Sequence, residues 1–224
     1  MAKRQRDLPQ TELRAVDGRV PGRRGLATRQ RLLECTAELL EKTSYRDITV
    51  IDIASCAGTS PATFYQYFAD VNAAIAVLAG EMAERGTRLT DLIERSRWRG
   101  KTAYPSALAL VDGFLALWEE HRSVLRVVDL ATLEGDLRFQ NIRTRLLNQV
   151  TVALQEVVAE AKREGHHPRD LDPTAQAASI VSMLAHVASH RYGFEFWGIR
   201  MNDMRRSLAR IVAASLTGRR AADS

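Results

Sequence analysis

One stretch of the chain, Thr49 to Phe68, restricts the fold more than any other, because it holds the start and stop signals of two short helices and a tight turn between them. Thr49 is placed to cap a first helix in which Val50, Ile53, Ala54 and Ala57 recur at helical spacing, and Gly58 supplies a left-handed residue to end it. Ser60 followed by Pro61, a hydroxyl N-cap before proline at the first helical position, predicts a second helix of about two turns from Ala62 to Phe68. Phe64 and Phe68 stand four apart and share the face that packs back on the first helix. The unit reads as a helix-turn-helix.

The other side chains of this stretch are short or planar hydrogen-bonding groups. Thr59, Ser60, Thr63, Tyr65 and Gln66 stand at the front of the second helix, the types that reach base edges or phosphate oxygens when a recognition helix enters the major groove. Tyr67 falls to one side, where it is expected on a phosphate, and Thr49 at the first cap is counted with them. The alternative is an ordinary helical hairpin with half-buried tyrosines. The run Ala54-x-x-Ala-Gly-Thr-Ser-x-x-Thr-Phe-Tyr-x-Tyr-Phe68 closely resembles the DNA-binding signature of the TetR family of regulators. Ahead of it, Leu32, Leu33, Cys35, Thr36, Leu39 and Leu40 predict an amphipathic helix from Thr28 to about Thr43. The resemblance runs from Thr28 to about Ile75 and implies a three-helix headpiece that reads double-stranded DNA. One position departs from it: where the family usually carries a phosphate-binding lysine after the Tyr-x-Tyr-Phe segment, this chain has Val71, then Asn72.

Charge is concentrated ahead of the headpiece. Residues 1–31 hold nine Lys or Arg against three acidic residues, whereas the remainder is nearly balanced, so the formal net charge of +5 comes from the N-terminal region. A polyanionic partner is implied at that end. Residues 1–24, with Pro9, Gly18, Pro21 and Gly22 and few apolar positions, read as a flexible basic arm. Arg19, Arg23 and Arg24 are placed to follow a phosphate ridge or enter the minor groove, or the arm merely raises non-specific affinity. No apolar segment is long enough to span a bilayer, and the basic start has no apolar stretch behind it, so a cytoplasmic protein without membrane contact is expected.

Beyond the headpiece the periodicity is helical throughout. Asp70 caps a fourth helix whose apolar positions carry it to about Arg95, some 25 residues and about 37 Å as one element, and five helices follow: Pro105 to Glu120, Ser123 to Leu133, Asp136 to Glu164, Pro173 to Phe194 and Asp203 to Leu216. The expected architecture is all-α with about nine helices. A headpiece over residues 25–70 is joined by the long fourth helix to a ligand-binding and dimerisation bundle over residues 71–218, with a tail over 219–224. Cys35 and Cys56, without metal-ligand spacing, are expected as reduced core thiols rather than a disulfide or redox switch, and His166 and His167 as a solvated loop. The basic loop of Arg95, Arg97, Arg99 and Lys101 is likewise expected to be solvated rather than a second nucleic-acid site.

The bundle carries aromatics and a small-residue stripe. Leu89, Leu92, Trp98, Phe114, Trp118, Phe139, Met183 and His186 are either plain core or the lining of a site for a small hydrophobic ligand. The family resemblance implies an inducer pocket in this region, with Ala116 expected to face inward. Ala178, Ser182 and Ala185 on the eighth helix, with Met204, Leu208, Ile211 and Val212 on the ninth, form a stripe and a ridge suited to a twofold four-helix contact, unless both are buried within a monomer. The resemblance implies the homodimer. No nucleophile and base pair, metal spacing or phosphate loop is legible, so neither an enzyme nor a cofactor is expected. The expected function is a ligand-responsive repressor that binds a palindromic operator as a dimer and is released by a small hydrophobic inducer. The alternative is a helical DNA-binding or adaptor protein of the same fold without an inducer.

Overall fold

The computed structural model of the chain describes residues 21–218, and among them every regular element is helical. The arm up to residue 20 and the tail over 219–224 lie outside the described residues, as does Arg19. The chain divides into two compact units, residues 1–78 and 79–224. The boundary falls within the fourth helix, the element expected to join headpiece and body, beyond the expected headpiece limit at residue 70.

The first unit contains α1 (Arg23–Lys42), a short 3-10 turn (Tyr45–Asp47), α2 (Val50–Cys56), α3 (Pro61–Tyr67) and the start of α4 (Val71–Arg85). Helix α1 begins at Arg23 rather than Thr28, because Gly22 serves as its N-cap. Pro21 and Gly22, read as arm, are therefore a start signal, and Arg23 and Arg24 form the first turn of a helix. Thr49 and Asp52 cap α2 reciprocally: the Asp52 amide donates to Thr49 Oγ1 at 3.2 Å and the Thr49 amide to Asp52 Oδ2 at 2.9 Å. At the other end Gly58, at φ 65°, donates its amide to Ser55, while the Thr59 amide reaches back to the Ala54 carbonyl at 2.9 Å. That pair of bonds is a Schellman closure and turns the chain into α3. Ser60 Oγ then accepts the Thr63 amide at 3.2 Å, and Pro61 occupies the first turn. Phe64 and Phe68 are buried with ring centroids 5.4 Å apart, as their spacing predicts.

Cys35 and Cys56 correct the expectation of free thiols, since they form a disulfide between α1 and α2 with Cα atoms 5.8 Å apart. Sequence spacing reports the helical face of each cysteine but not where the two helices cross. That crossing brings the last residue of α2 to Cys35, which lies on the buried face of α1.

The second unit takes α4 from Ala79 onward, then α5 (Thr87–Arg95), a 3-10 turn (Gly100–Thr102), α6 (Ala103–Glu120), α7 (Arg122–Leu133), α8 (Leu137–Arg163), α9 (Pro173–Phe196) and α10 (Met201–Thr217). The single helix expected from Asp70 to about Arg95 is two, interrupted at Gly86, so ten α-helices are present among the described residues. A Cβ at Gly86 would run into a Leu146 methyl of α8 and stand 3.0 Å from the Ala83 carbonyl oxygen. The break therefore lies where α8 approaches the backbone. Gly113 plays the same part in α6, since a Cβ there would come within 2.9 Å of methyls of both Leu89 and Leu92 on α5. The remaining five helices end within a few residues of their expected limits, with Asp136 and Asp172 as side-chain N-caps.

Packing in this unit is mostly apolar. Leu110, Phe114, Phe139, Leu146, Leu154 and Leu184 are essentially fully buried, each contributing about 1.5–3 kcal/mol relative to exposure. Polar ties fix the pairing of helices. Arg205 of α10 holds the Asp112 carboxylate of α6 through two nitrogens, one at 2.6 Å, and Arg143 of α8 donates to Asp129 of α7 at 2.9 Å. His167, expected in a solvated loop, is half-buried with Nε2 3.1 Å from the Leu216 carbonyl oxygen of α10.

Candidate nucleic-acid interface

Helix α3 has one face that anchors and one that is displayed. Phe64 and Phe68 hold it against the headpiece core, and the outer face presents Ser60, Pro61, Ala62, Tyr65 and Gln66 to solvent. Tyr65 is 53% exposed, and its ring meets Phe64 edge-on at 5.8 Å, so the buried phenylalanine limits the swing of the exposed phenol. That combination displays a hydrogen-bonding group on a rigid helix. Thr63 is half-buried and shares its hydroxyl with Ser60 at 3.0 Å, while Thr59 is half-buried in the turn. Thr49 is exposed, but its hydroxyl lies 2.6 Å from Asp52 Oδ2 within the cap.

Tyr67 links this surface to α1. A Cβ on Gly25 would stand 3.1 Å from the Tyr67 hydroxyl, so the phenol lies against the first turn of α1, next to the exposed Arg23 and Arg24. Gly22 gives α1 no side-chain cap, which leaves its leading amides, two guanidinium groups and the Tyr67 hydroxyl at one end of the helix. Oriented amides at a helix N-terminus with cationic side chains beside them suit a phosphate oxygen. Sequence reasoning placed the three side chains but missed the α1 terminus. The signal was present in Gly22 as an N-cap ahead of a helical period.

Electrostatics support the short helices. The Thr49 hydroxyl, then the Thr49 amide, hold the Asp52 carboxyl below its ordinary value by hydrogen bonding to its charged form. The one acidic group in the first turn of α2 is thereby kept ionised, where the helix dipole favours a negative charge.

In the second unit the expected ligand residues do not gather around one opening. Leu89, Phe114, Trp118 and Phe139 are buried, with Phe114 and Trp118 stacked at 5.7 Å, whereas Leu92 is partly exposed. His186 is exposed on α9 and stacks on His190 at 4.2 Å, so it does not enter the interior with them, and Ala116 is exposed rather than inward. Met183 is half-buried. An open cavity of about 710 Å³ lies elsewhere, lined by Trp98, Val157, Ala161, Glu164, His166 and Thr217 among others. Of the eight expected ligand residues only Trp98 lines it. Arg99 crosses this cavity to Glu160 and Glu164, 2.5 Å from each, so the basic loop is anchored through that residue. The interior does contain orphaned polar atoms: Trp118 Nε1, Thr90 Oγ1 and Thr132 Oγ1 are buried without a hydrogen-bond partner.

The stripe and ridge are also rearranged. Ala185, Leu208 and Val212 are buried within this unit's own core and Ala178 and Met204 are half-buried, so a partner helix cannot rest on the whole predicted set. The helical period assigns these residues to a face but cannot tell an internal neighbour from an external one. What remains outward on α9 is a row at helical spacing, Ala175, Ser179, Ser182, His186 and Ser189, and on α10 Ile211 at 48% exposure.

No helix among the described residues is long and apolar enough to cross a membrane. Two family profiles match the chain: one described as "Bacterial regulatory proteins, tetR family" over residues 32–70, and one described as "Tetracyclin repressor-like, C-terminal domain" over residues 89–223. An uncharacterised HTH-type transcriptional regulator, YdgC of Bacillus subtilis, is 22% identical over 73% of this chain and 80% of its own length. Among solved structures, the fatty acid degradation regulator FadR from Bacillus halodurans aligns with a TM-score of 0.64 at 16% identity, over 86% of this chain and 97% of its own. FadR from Bacillus subtilis in complex with stearoyl-CoA aligns at 0.59 and 18%, over 85% and 98%. With the second profile spanning more than half of its length, the chain belongs to the TetR family and is a helix-turn-helix, DNA-binding transcriptional regulator rather than an enzyme.

Proposed function

We propose that this regulator is a repressor that binds a palindromic operator as a homodimer and lets go of it when a small hydrophobic molecule enters the α5–α7 interior. The observation that carries the inducer is Trp118 Nε1, a buried donor without a partner on a ring stacked against Phe114. Such a group costs about 1–3 kcal/mol unless an acceptor reaches it, and a ligand carbonyl or ether oxygen is one way to supply that acceptor. The stearoyl-CoA held by the FadR relative shows that a protein of this fold can take an apolar chain. Thr49, Thr59, Ser60, Thr63, Tyr65, Gln66 and Tyr67, with Arg23 and Arg24, form the DNA surface in this reading, with Tyr65 and Gln66 at base edges and the α1 terminus on phosphate. The outward α9 row and Ile211 form the twofold contact, as a helix face of small residues permits close approach.

The test is a thermal-shift screen of apolar compounds, followed by the affinity of each stabilising hit for an operator that the protein selects from a random duplex pool. Hits that raise the midpoint and weaken operator binding support the reading. Hits that stabilise the Trp118→Phe variant as well as the wild type, and leave operator affinity untouched, leave a DNA-binding regulator without an inducer.

A further inference from the structure

We propose that the DNA-binding headpiece is redox-responsive: an oxidant closes the Cys35–Cys56 bond, ties α1 to α2, and thereby stiffens the support behind α3 and slows departure from DNA. The proposal rests on the reading of α3 as the DNA-contacting helix. Helix α2 is only seven residues long, well short of the roughly 12–15 that isolated helices need, so its position depends on what it packs against. The disulfide joins its last residue to the middle of a twenty-residue helix. The next three residues, Ala57 to Thr59, are the Schellman turn that launches α3. A tie at that point acts on the recognition helix through one turn of chain. The capping box, the turn at Gly58 and the buried Phe64 are all intact with the bond closed, so the oxidised headpiece displays α3 and is the competent form.

The two sulfurs are not equivalent. Cys35 is fully buried, whereas Cys56 is half-exposed and is the sulfur that a reagent meets first. With hydrogen peroxide as oxidant, the Cys56 thiolate takes one oxygen to become a sulfenic acid and hydroxide leaves. The Cys35 thiol then attacks that sulfur, the S–S bond forms and water leaves. The sulfurs lose two electrons in total and the peroxide, with two protons, becomes two waters. A dithiol reverses the change by exchange at Cys56, ending as its own cyclic disulfide. The Glu38 carboxylate stands 4.0 Å from Cys56 Sγ, and Arg31, 3.5 Å from both Glu34 and Glu38, offsets its charge only in part. An incoming thiolate is therefore repelled, and the bond, once formed, opens slowly.

The full-length protein is prepared with excess dithiol or after peroxide treatment and removal of reagent. Thiols are counted after unfolding, the melting midpoint is recorded, and dissociation from a duplex selected from a random pool is timed. Peroxide is expected to take the thiol count from two to none. The melting midpoint of the 224-residue protein should rise by roughly 6–12 °C, the size expected for closing a loop of about twenty residues in a chain of this length, with severalfold slower dissociation. Cys56→Ser should show none of these responses, and Glu38→Gln should speed opening by an anionic thiol about two- to fivefold at low salt. Two thiols surviving peroxide, an unchanged midpoint, or faster dissociation on oxidation would each overturn the proposal. If neither redox form enriches any duplex, the DNA reading fails instead, and the thiol and thermal measurements still judge the tie itself.

Discussion

Gly58→Ala isolates the backbone geometry on which the helix-turn-helix depends. Gly58 sits at φ 65°, and a Cβ built there meets no atom within 4 Å, so the substitution brings no steric clash and its cost is torsional. A left-handed alanine costs about 1–2 kcal/mol, and the reduced freedom of the unfolded chain returns about 0.4–1 kcal/mol. The net loss should therefore be about 0.8 kcal/mol at the middle of both ranges. Gly58→Asn, whose short polar side chain tolerates this region, should lose less. Urea unfolding monitored by circular dichroism, with the redox state held fixed, reads both values as shifts of the midpoint at unchanged slope. The ordering Gly, then Asn, then Ala is the signature. An alanine variant as stable as the wild type would mean that residue 58 does not hold a positive φ in solution, and the Schellman turn would have to be abandoned.

Four further outcomes are expected. Tyr65→Ala should weaken specific DNA binding by about 1–3 kcal/mol without lowering the melting midpoint, since this side chain is largely exposed; loss of soluble protein would mean that it is a core residue. Arg23→Ala and Arg24→Ala should each reduce the slope of log affinity against log salt by about 0.9 if each meets one phosphate, and unchanged slopes would remove the α1 terminus from the interface. Thr49→Ala should destabilise the headpiece near neutral pH more than Thr49→Ser; because the folded Asp52 pKa is depressed below its ordinary 3.8, the hydroxyl-to-carboxylate part of the cap is fully present above about pH 4 and fades as pH falls through the folded value, so the gap between the variants should narrow in acid to what the Asp52 amide bond to the hydroxyl contributes. If the proposed twofold contact exists, Ile211→Glu should turn a dimeric mass into a monomeric one in light scattering, and an unaltered mass would remove Ile211 from any such contact.

The headpiece was legible because its information is local. Thr49 and Ser60 carry capping hydroxyls, Gly58 takes a positive φ that favours glycine, and Pro61 fits a first helical turn, and all four fill those places in the structure. The body was legible only as helices. Apolar spacing marked Leu208, Val212 and Ala185 as lying on faces, but whether the neighbour on that face is the same chain or another depends on long-range packing, and they proved internal. Gly86 shows the limit most clearly. In sequence it is one tolerated glycine in a helical period; its role comes from Leu146, sixty residues away on α8. The cysteine pair was hidden for the same reason.

Magnitudes constrain what could act as the proposed inducer. Moving a population from 1:99 to 99:1 takes about 5.5 kcal/mol of differential affinity between the two states, whereas satisfying Trp118 Nε1 supplies about 1–3 kcal/mol even if the acceptor reaches it in one state alone. About 2.5–4.5 kcal/mol must come from elsewhere. At about 0.8 kcal/mol per buried methylene, that corresponds to roughly three to six methylenes buried in the released state and exposed in the bound one. A ligand with one acceptor and a short apolar tail therefore has too little to spend, and potency should climb with chain length until the interior is filled. Reciprocity requires the operator to weaken the same ligand by the same factor. A homologous series of fatty acyl compounds, titrated with and without operator, reads both quantities in one experiment. Equal potency at every chain length, or a ligand affinity indifferent to operator, would separate whatever binds in the interior from the control of DNA.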